Sequence, residues 1–475
     1  MPKEIKDFVV AIELGSSKIT GIAGKKNSDG SITVLAYARE DSASFIKRGM
    51  VYNIDKTAQC LNNIKQKLEK TLKASVGKAY VGIAGQSLHT MKNSVNLPLA
   101  PGSIISKETI DELKMVNREA TYADQELLQV IPQEYVVGTA KLVDPVGVVA
   151  DNVEGRYLNI IARSSLRGNL LKSLNLAGIQ VAEYFISPLA LADCVLTDAE
   201  KRSGCALVDF GAETTTVAVF KNNILRHLAV IPLGGHNITK DIAGLQIEEE
   251  DAEELKLKYG SAYNENEDNT NNDDTKQYPV TDERTIDACM LNAIVESRVE
   301  EIIANIWEQI QQSSCGNELL AGVVLTGGGS NLKNLELAFN KRTNIEKIRI
   351  AKFVTQAIDA KNPDIKSKDG SLNTILALLI KGKDNCFGVP LEGGDNLFDS
   401  DGQPYIERKR AEEEERRRKL EEEEAKLRAL EEEKARQEEE ARRKEEEARL
   451  RAQQKENSFW NRMKKGFTKI ISEDD

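Results

Sequence analysis

Cys205–Phe220, CALVDFGAETTTVAVF, is the stretch on which the fold turns. An apolar strand, Ala206-Leu207-Val208, runs into Asp209, Phe210 and Gly211, and a second β-branched run leaves from Thr214 to Phe220. That pattern predicts a β-hairpin whose tight turn carries backbone N–H groups, hydroxyls and one carboxylate. Gly211 lets the chain come close to a bound group, and successive turn N–H groups form an anion-binding concavity. Asp209 is of the right type to hold a metal-bound water beside a phosphate. Taken alone, an apolar hairpin of this kind is more often structural than functional.

Working outward, the same format recurs near the N-terminus in Phe8–Thr20, FVVAIELGSSKIT: apolar strand, Glu13, Leu14, Gly15, hydroxyls, apolar strand. Glu13 and Asp209 are 196 positions apart (209 − 13), so the repeat predicts two related lobes, each offering a phosphate-binding hairpin. A third glycine turn, Thr326-Gly327-Gly328-Gly329-Ser330, follows the buried run Val323-Val324-Leu325. It opens an amphipathic segment with Leu332, Leu335, Leu337 and Ala338, which predicts a helix N-terminus with free N–H donors at the glycines. Three such turns in this order form a constellation that loops rarely produce by chance.

A length of 475 residues leaves room for two or three domains. The net charge of −11, with no basic stripe in the first 400 residues, argues against a nucleic-acid protein. The six cysteines, at 60, 194, 205, 289, 315 and 386, form no CxxC, and there are three histidines, which fits reduced cytosolic thiols and no zinc site. The start is too short and too acidic for a signal peptide. No apolar run approaches the ~20 residues needed to span a bilayer. A cytoplasmic protein is expected, with any anchor peripheral.

In chain order, a strand is expected around Ile32–Ala38, an amphipathic helix over Ile54–Leu72 with apolar positions Ala58, Leu61, Ile64, Leu68 and Leu72, and a strand at Ala79–Ala84. Residues 85–165 read as a small inserted α+β subdomain, with short strands Val95–Leu97, Val136–Leu142 and Tyr157–Ala162 around a helix Lys107–Tyr122 capped by Ser106. Within it, Ile131–Tyr135 (IPQEY) and Asp144–Gly147 (DPVG) both read as turns. Helix Leu166–Ala177, strand Val181–Ile186 and helix Leu189–Thr197 lead to the central hairpin. Beyond it come a glycine turn opening a helix at Gly234-Gly235, where His236 has no partner in sequence, and a charged helix ending at Gly260. An Asn/Asp/Glu-rich loop at Asn264–Asp274, a long helix Thr285–Gln312 and a last buried helix Leu372–Ile380 complete a body ending near residue 390.

These residues, in this order, resemble the actin-like ATPase superfold and, within it, the bacterial cell-division FtsA family. The two phosphate hairpins and the Gly327–Gly329 turn would also admit sugar or acid kinases, heat-shock chaperones and rod-shape actins. The inserted subdomain with Ile131–Tyr135 and Asp144–Gly147 narrows the match, and Glu253–Gly260 and Ile294–Glu300 are similar to family segments. The resemblance implies an α/β, actin-like two-lobed fold: first lobe 1–84 and 166–203 with a returning helix at 371–390, insertion 85–165, second lobe 204–235 and 316–370, and its outer part 236–315. It implies ATP and Mg2+ as ligands. Gly15, Ser16, Ser17 and Lys18 would contact the β- and γ-phosphates, and Asp209, Gly211, Thr214 and Thr215 would form the second phosphate loop. Glu253 and Lys256 would meet ribose or base, Gly327, Gly328 and Gly329 would admit adenosine, and Asp209 with Glu13 would serve the metal. Four positions depart from the family pattern: Glu13 for Asp, Glu213 for glycine, Thr216 for Asp, and Ser187 for the Glu that would orient water. Glu213 would then place a bulky anion near the phosphates, so nucleotide is expected to be held with at most weak hydrolysis.

After a linker at 391–405, residues 406–475 hold 21 Lys+Arg and 22 Asp+Glu, so 43 of 70 are charged. Glu precedes Lys or Arg by four at Glu412/Arg416, Glu415/Lys419, Glu438/Arg442 and elsewhere, each pair adding ~0.2–0.5 kcal/mol to an isolated helix. With no sustained heptad, 406–456 reads as one solvated helix about 75 Å long, the alternative being a disordered linker. In 457–475, Phe459, Trp460, Met463, Phe467, Ile470 and Ile471 fall within an arc of about 120°, with Lys464 at its edge and Lys465 and Lys469 opposite. That describes an interfacial membrane helix, or else a helix docking on a partner protein. The family resemblance implies a peripheral protein on the cytoplasmic face of the membrane at the division septum. It would bind FtsZ, the tubulin-like division protein, self-associate and contact membrane lipids. A pilus-assembly actin homologue and a soluble kinase of the same superfold are the rivals.

Overall fold

The computed structural model describes residues 7–264, 276–281 and 284–388. Most of the Asn264–Asp274 loop, the charged 406–456 segment and the Phe459–Ile471 apolar face lie outside them.

Two sheets repeat one topology. In the first, strands run in the order Gln180–Ile186, Lys78–Ile83, Val9–Leu14, Lys18–Lys26, Ile32–Asp41. The second repeats that order with Ile348–Ile350, Gly322–Thr326, Cys205–Phe210, Thr215–Lys221, Ile224–Ile231. In each, the first three strands are parallel and the last three form an antiparallel meander. The register repeats as well: Glu13 pairs with Thr20, and Asp209 with Thr216, at equivalent rungs. The strands nearest the centre, such as VVAI and CALV, are buried on both faces because helices cover them, which is why they read as unbroken apolar runs.

Helix Ile54–Leu72 covers the first sheet with Ala58, Leu61, Ile64, Leu68 and Leu72, and the Asn53 side chain caps it by accepting the Lys56 N–H. Helix Asn373–Lys381 returns from the second lobe to close the first core through Ile375, Leu376, Leu378 and Leu379. In the second lobe, helix Ala288–Gln312 buries Leu291, Val295, Val299, Ile302, Ile303, Ile306 and Ile310 in a separate core. Ile358–Asp359, expected in the second lobe, instead pairs with Ile32–Thr33 at the edge of the first sheet.

The insertion is more strand-rich than its sequence suggests. Its strands span His89–Ile104, Gln125–Val137, Ala140–Leu142 and Val149–Arg163, with helix Lys107–Arg118 packed on one face. IPQEY is not a turn: it lies inside Gln125–Val137, where the register slips between Glu134 and Pro132 so that Gln133 bulges out. A bulge is where an antiparallel strand tolerates a proline lacking its N–H. Asp144–Gly147 is a turn, with Asp144 accepting the Val146 N–H at 3.1 Å and Gly147 at φ 90°. The inserted sheet joins the second lobe's sheet edge to edge through one residue pair, Ala229 with His89. Thr90 Oγ1 reinforces it, donating to the Leu228 carbonyl (3.2 Å) and accepting its N–H (3.0 Å). Gln133 of the IPQEY stretch and Arg226, which the sequence did not single out, add to the junction: Gln133 Nε2 donates to the Leu225 carbonyl and Arg226 donates to Gln133 Oε1.

Candidate functional site between two glycine hairpins

Both glycine turns close in the same way. The Gly15 N–H donates to the Lys18 carbonyl (3.0 Å), and the Gly211 N–H to the Thr214 carbonyl (2.9 Å). A Cβ on either glycine would come within 2.9 Å or 2.8 Å of that same carbonyl, so each turn needs its glycine. The hairpins line a cleft of about 1120 Å³. Gly15, Ser16, Ser17, Lys18, Asp209, Gly211, Thr214, Glu253, Lys256, Gly327, Gly328 and Gly329 all line it, as does Glu13.

Thr215 does not. It is buried, its hydroxyl donating to the Leu233 carbonyl at 2.8 Å. The reason is the two-residue period of a strand, which turns Thr214 and Thr216 to the cleft and Thr215 to the opposite face. Glu213 also departs from expectation. It stands outside the lining, its carboxylate accepting the Arg48 N–H of the other lobe at 2.6 Å with Lys47 Nζ at 3.8 Å. A cation and a donor draw it away from the phosphate side.

Two carboxyl groups sit in the cleft walls. Burial pushes Glu13 up to about 7, with Asp209 adding repulsion and the Lys18 ammonium pulling the other way. Burial alone pushes Asp209 up to about 6. Such a pair is under-compensated without a cation, and Mg2+ typically takes one or two carboxylates together with phosphate oxygens and waters. Among the described residues no group of three or more His, Cys, Asp or Glu is placed to hold a metal by itself. The donor set therefore fits a metal that arrives with a phosphate ligand.

The Gly327–Gly329 turn serves the second hairpin first. Gly327 has φ 85°, and a Cβ there would lie 2.4 Å from Asp209 Oδ1; one on Gly329 would enter the Phe210 ring at 2.2 Å. A Cβ on Gly328 would make only an ordinary contact, with Ser371 Cβ at 3.7 Å. The helix expected straight after the glycines begins only at Leu335; a 3-10 turn, Gly328–Asn331, intervenes. On the far wall, Lys256 Nζ donates to Glu253 (2.6 Å), Thr239 Oγ1 (2.9 Å) and the Gly235 carbonyl (3.1 Å), and Thr239 also bonds Glu253. His236 is not solitary: its Nε2 lies 2.9 Å from Glu249 Oε1 at the cleft wall. Ser187 lines the cleft beside Gly82, offering a hydroxyl and no carboxylate. The lining also includes Asp369, Gly370, Ser371 and Thr374, which sequence reasoning missed. Their signal was present: a glycine turn directly before a buried helix, the same grammar as at Gly234-Gly235.

A shallower depression of about 490 Å³ lies on the outer part of the second lobe, lined by Asp241, Met290, Ala293, Ile294, Ser297, Arg298 and Glu301. Arg298 bridges Asp241 in a bidentate pair (2.5 and 2.9 Å) and also bonds Glu301.

Two copies of one five-stranded sheet, each delivering a glycine hairpin to a shared cleft, define an actin-like ATPase fold. In agreement, the solved PilM-PilN type IV pilus biogenesis complex superposes with a TM-score of 0.57 at 16% identity, over 80% of this chain and 100% of that one. The chain belongs to the FtsA family of cell-division proteins. The family model "Cell division protein FtsA" matches residues 206–368, and "SHS2 domain inserted in FTSA" matches 85–161. The Porphyromonas gingivalis cell division protein FtsA is 30% identical over 355 residues, 74% of each chain. That of Bacillus subtilis is 30% identical over 331 residues, 68% of this chain and 73% of its own.

Proposed function

We propose that the cleft binds ATP with Mg2+ and that the protein tethers FtsZ to the cytoplasmic face of the membrane at the division site, self-associating there. The observation that carries the nucleotide reading is the pair of equivalent hairpins, Gly15–Lys18 and Gly211–Thr214, on one cleft that also holds two under-compensated carboxyl groups. Ser16, Ser17, Lys18, Gly211 and Thr214 take the phosphates, Glu13 and Asp209 the metal. The Lys256–Glu253–Thr239 cluster takes the ribose or base end, and Gly328 lies where the adenosine passes.

Hydrolysis is slow in this reading. Ser187 and Thr216 stand where a carboxylate would position the attacking water or the metal, so bound nucleotide sets the shape of a scaffold. The purified full chain should retain or bind ATP and release phosphate over hours. Failure to bind ATP in the presence of Mg2+ refutes the nucleotide half, and turnover stimulated by a sugar or acid acceptor would point to a kinase.

The tethering half rests on the family and on the apolar arc that the sequence predicts from Phe459, Trp460, Met463, Phe467, Ile470 and Ile471, with Lys464 at its edge and Lys465 and Lys469 opposite. The attachment proposed is interfacial because cations accompany a single apolar arc in that segment. Full-length protein should co-sediment with anionic liposomes, and Phe467→Glu should abolish that. The Asp241–Arg298–Glu301 depression, within the lobe Ile238–Ser314, is the surface proposed for FtsZ, and capture by an immobilised FtsZ tail peptide separates this from a pilus-type partner.

A further inference from the structure

The second hairpin carries a side chain with no counterpart in the first. At the turn position where the N-terminal copy has Ser17, this one has Glu213, and its carboxylate crosses to the other lobe. Its target is the tip of a small hairpin, Ile46–Lys47 paired with Met50–Val51. The two tip residues, Arg48 (φ 51°) and Gly49 (φ 73°), are both left-handed, as a two-residue type I′ turn requires. Arginine tolerates that conformation only where its surroundings hold it.

Those surroundings are a set of backbone bonds. The Gly49 N–H donates to Ser16 Oγ of the first phosphate hairpin at 2.8 Å. The Arg48 carbonyl accepts the Gln86 N–H at 3.0 Å, and a Cβ on Gly49 would lie 2.8 Å from Gly85 Cα. The tip is therefore fixed to the first lobe and presents the Arg48 N–H to the second. Glu213 accepts it at 2.6 Å with its side chain 13% exposed, and Lys47 adds a weaker, half-exposed attraction at 3.8 Å. One hairpin tip thus touches both phosphate turns, through Ser16 and through Glu213.

We propose that Glu213 is a cross-cleft latch, a positioning residue that holds the two phosphate turns at one separation and sets how long a nucleoside triphosphate stays bound. The proposal rests on the nucleotide reading of the cleft. Opening the cleft far enough to release a triphosphate pulls Glu213 from its donor, and the loss of that charge-assisted hydrogen bond slows release.

The test follows dissociation of a fluorescent N-methylanthraniloyl-ATP, chased with unlabelled ATP, from the full-length protein. Glu213→Ala should release it about tenfold faster or more, the loss expected for one charge-assisted hydrogen bond. Glu213→Gln keeps an acceptor for the Arg48 N–H and should stay within about threefold of wild type. Alanine within twofold of wild type overturns the latch, and so does glutamine as fast as alanine. If wild type binds no analogue, the nucleotide reading fails by itself. The latch is then judged by amide hydrogen exchange over residues 45–52 of the ligand-free protein: faster exchange in Glu213→Ala supports it, and unchanged exchange overturns it.

Discussion

Glu13 is a carboxyl group that burial holds far from its exposed reference. Its carboxyl titrates near 7 in the fold against 4.5 in an unfolded chain, because burial and Asp209 disfavour the anion. Between those values the folded protein holds a proton that the unfolded chain has released. The stabilisation is therefore complete below pH 4.5 and is lost as pH rises through about 7. Ligand-free protein in chelator should lose up to roughly 3 kcal/mol from this group alone across that window. Glu13→Gln should flatten the fall in unfolding midpoint, and a slope equal to wild type would refute the assignment. Added Mg2+ and ATP should bind more tightly as pH rises through 7, since the metal needs the carboxylates ionised. Gly327→Ala and Gly328→Ala form a second test. The first forces a Cβ to within 2.4 Å of Asp209 Oδ1 at φ 85° and should cost upwards of 2 kcal/mol in denaturant unfolding. The second meets only Ser371 at 3.7 Å and should be close to neutral.

Among the elements, helix Ile54–Leu72 shows what sequence can carry. Its apolar positions keep a helical period without interruption, so its extent was legible; the Asn53 cap that fixes its start came from the structure. Asn53→Ala should cost about 1 kcal/mol, read as a lower denaturation midpoint. The inserted strands were not legible in the same way. His89–Ile104 contains Pro98, Pro101 and Gly102, and Gln125–Val137 contains Pro132, residues that signal turns when no partner strand is in view. Both are long because Val149–Arg163 pairs along them on each side, an interaction distant in sequence. The site divides similarly. Glycines, hydroxyls and carboxylates of the hairpins were legible because two copies of one local pattern point to them. The orientation of Glu213 was not, since it depends on a hairpin tip 165 positions away in the chain. Thr215 faces away from the cleft by a two-residue alternation that is present in the sequence itself.

At the scale of the molecule, the duplication was visible as spacing, whereas the attachment of the insertion was not. A single rung, Ala229 with His89, leaves no periodic trace. Thr90→Val should leave the Leu228 N–H and carbonyl without their side-chain partner, cost about 1–2 kcal/mol, and speed exchange of the Leu228 amide. That rung has a mechanical consequence. The insertion departs from the first lobe after Ile83 and returns to it at Ser164, so covalently it is tied to one lobe while its sheet is welded to the other. Twisting one lobe against the other therefore loads a seam one residue pair wide, braced by a threonine hydroxyl and the Gln133 amide. A change in the angle between the lobes would have to be taken up at that seam, since among the described strands no other pairing joins the inserted sheet to the second lobe.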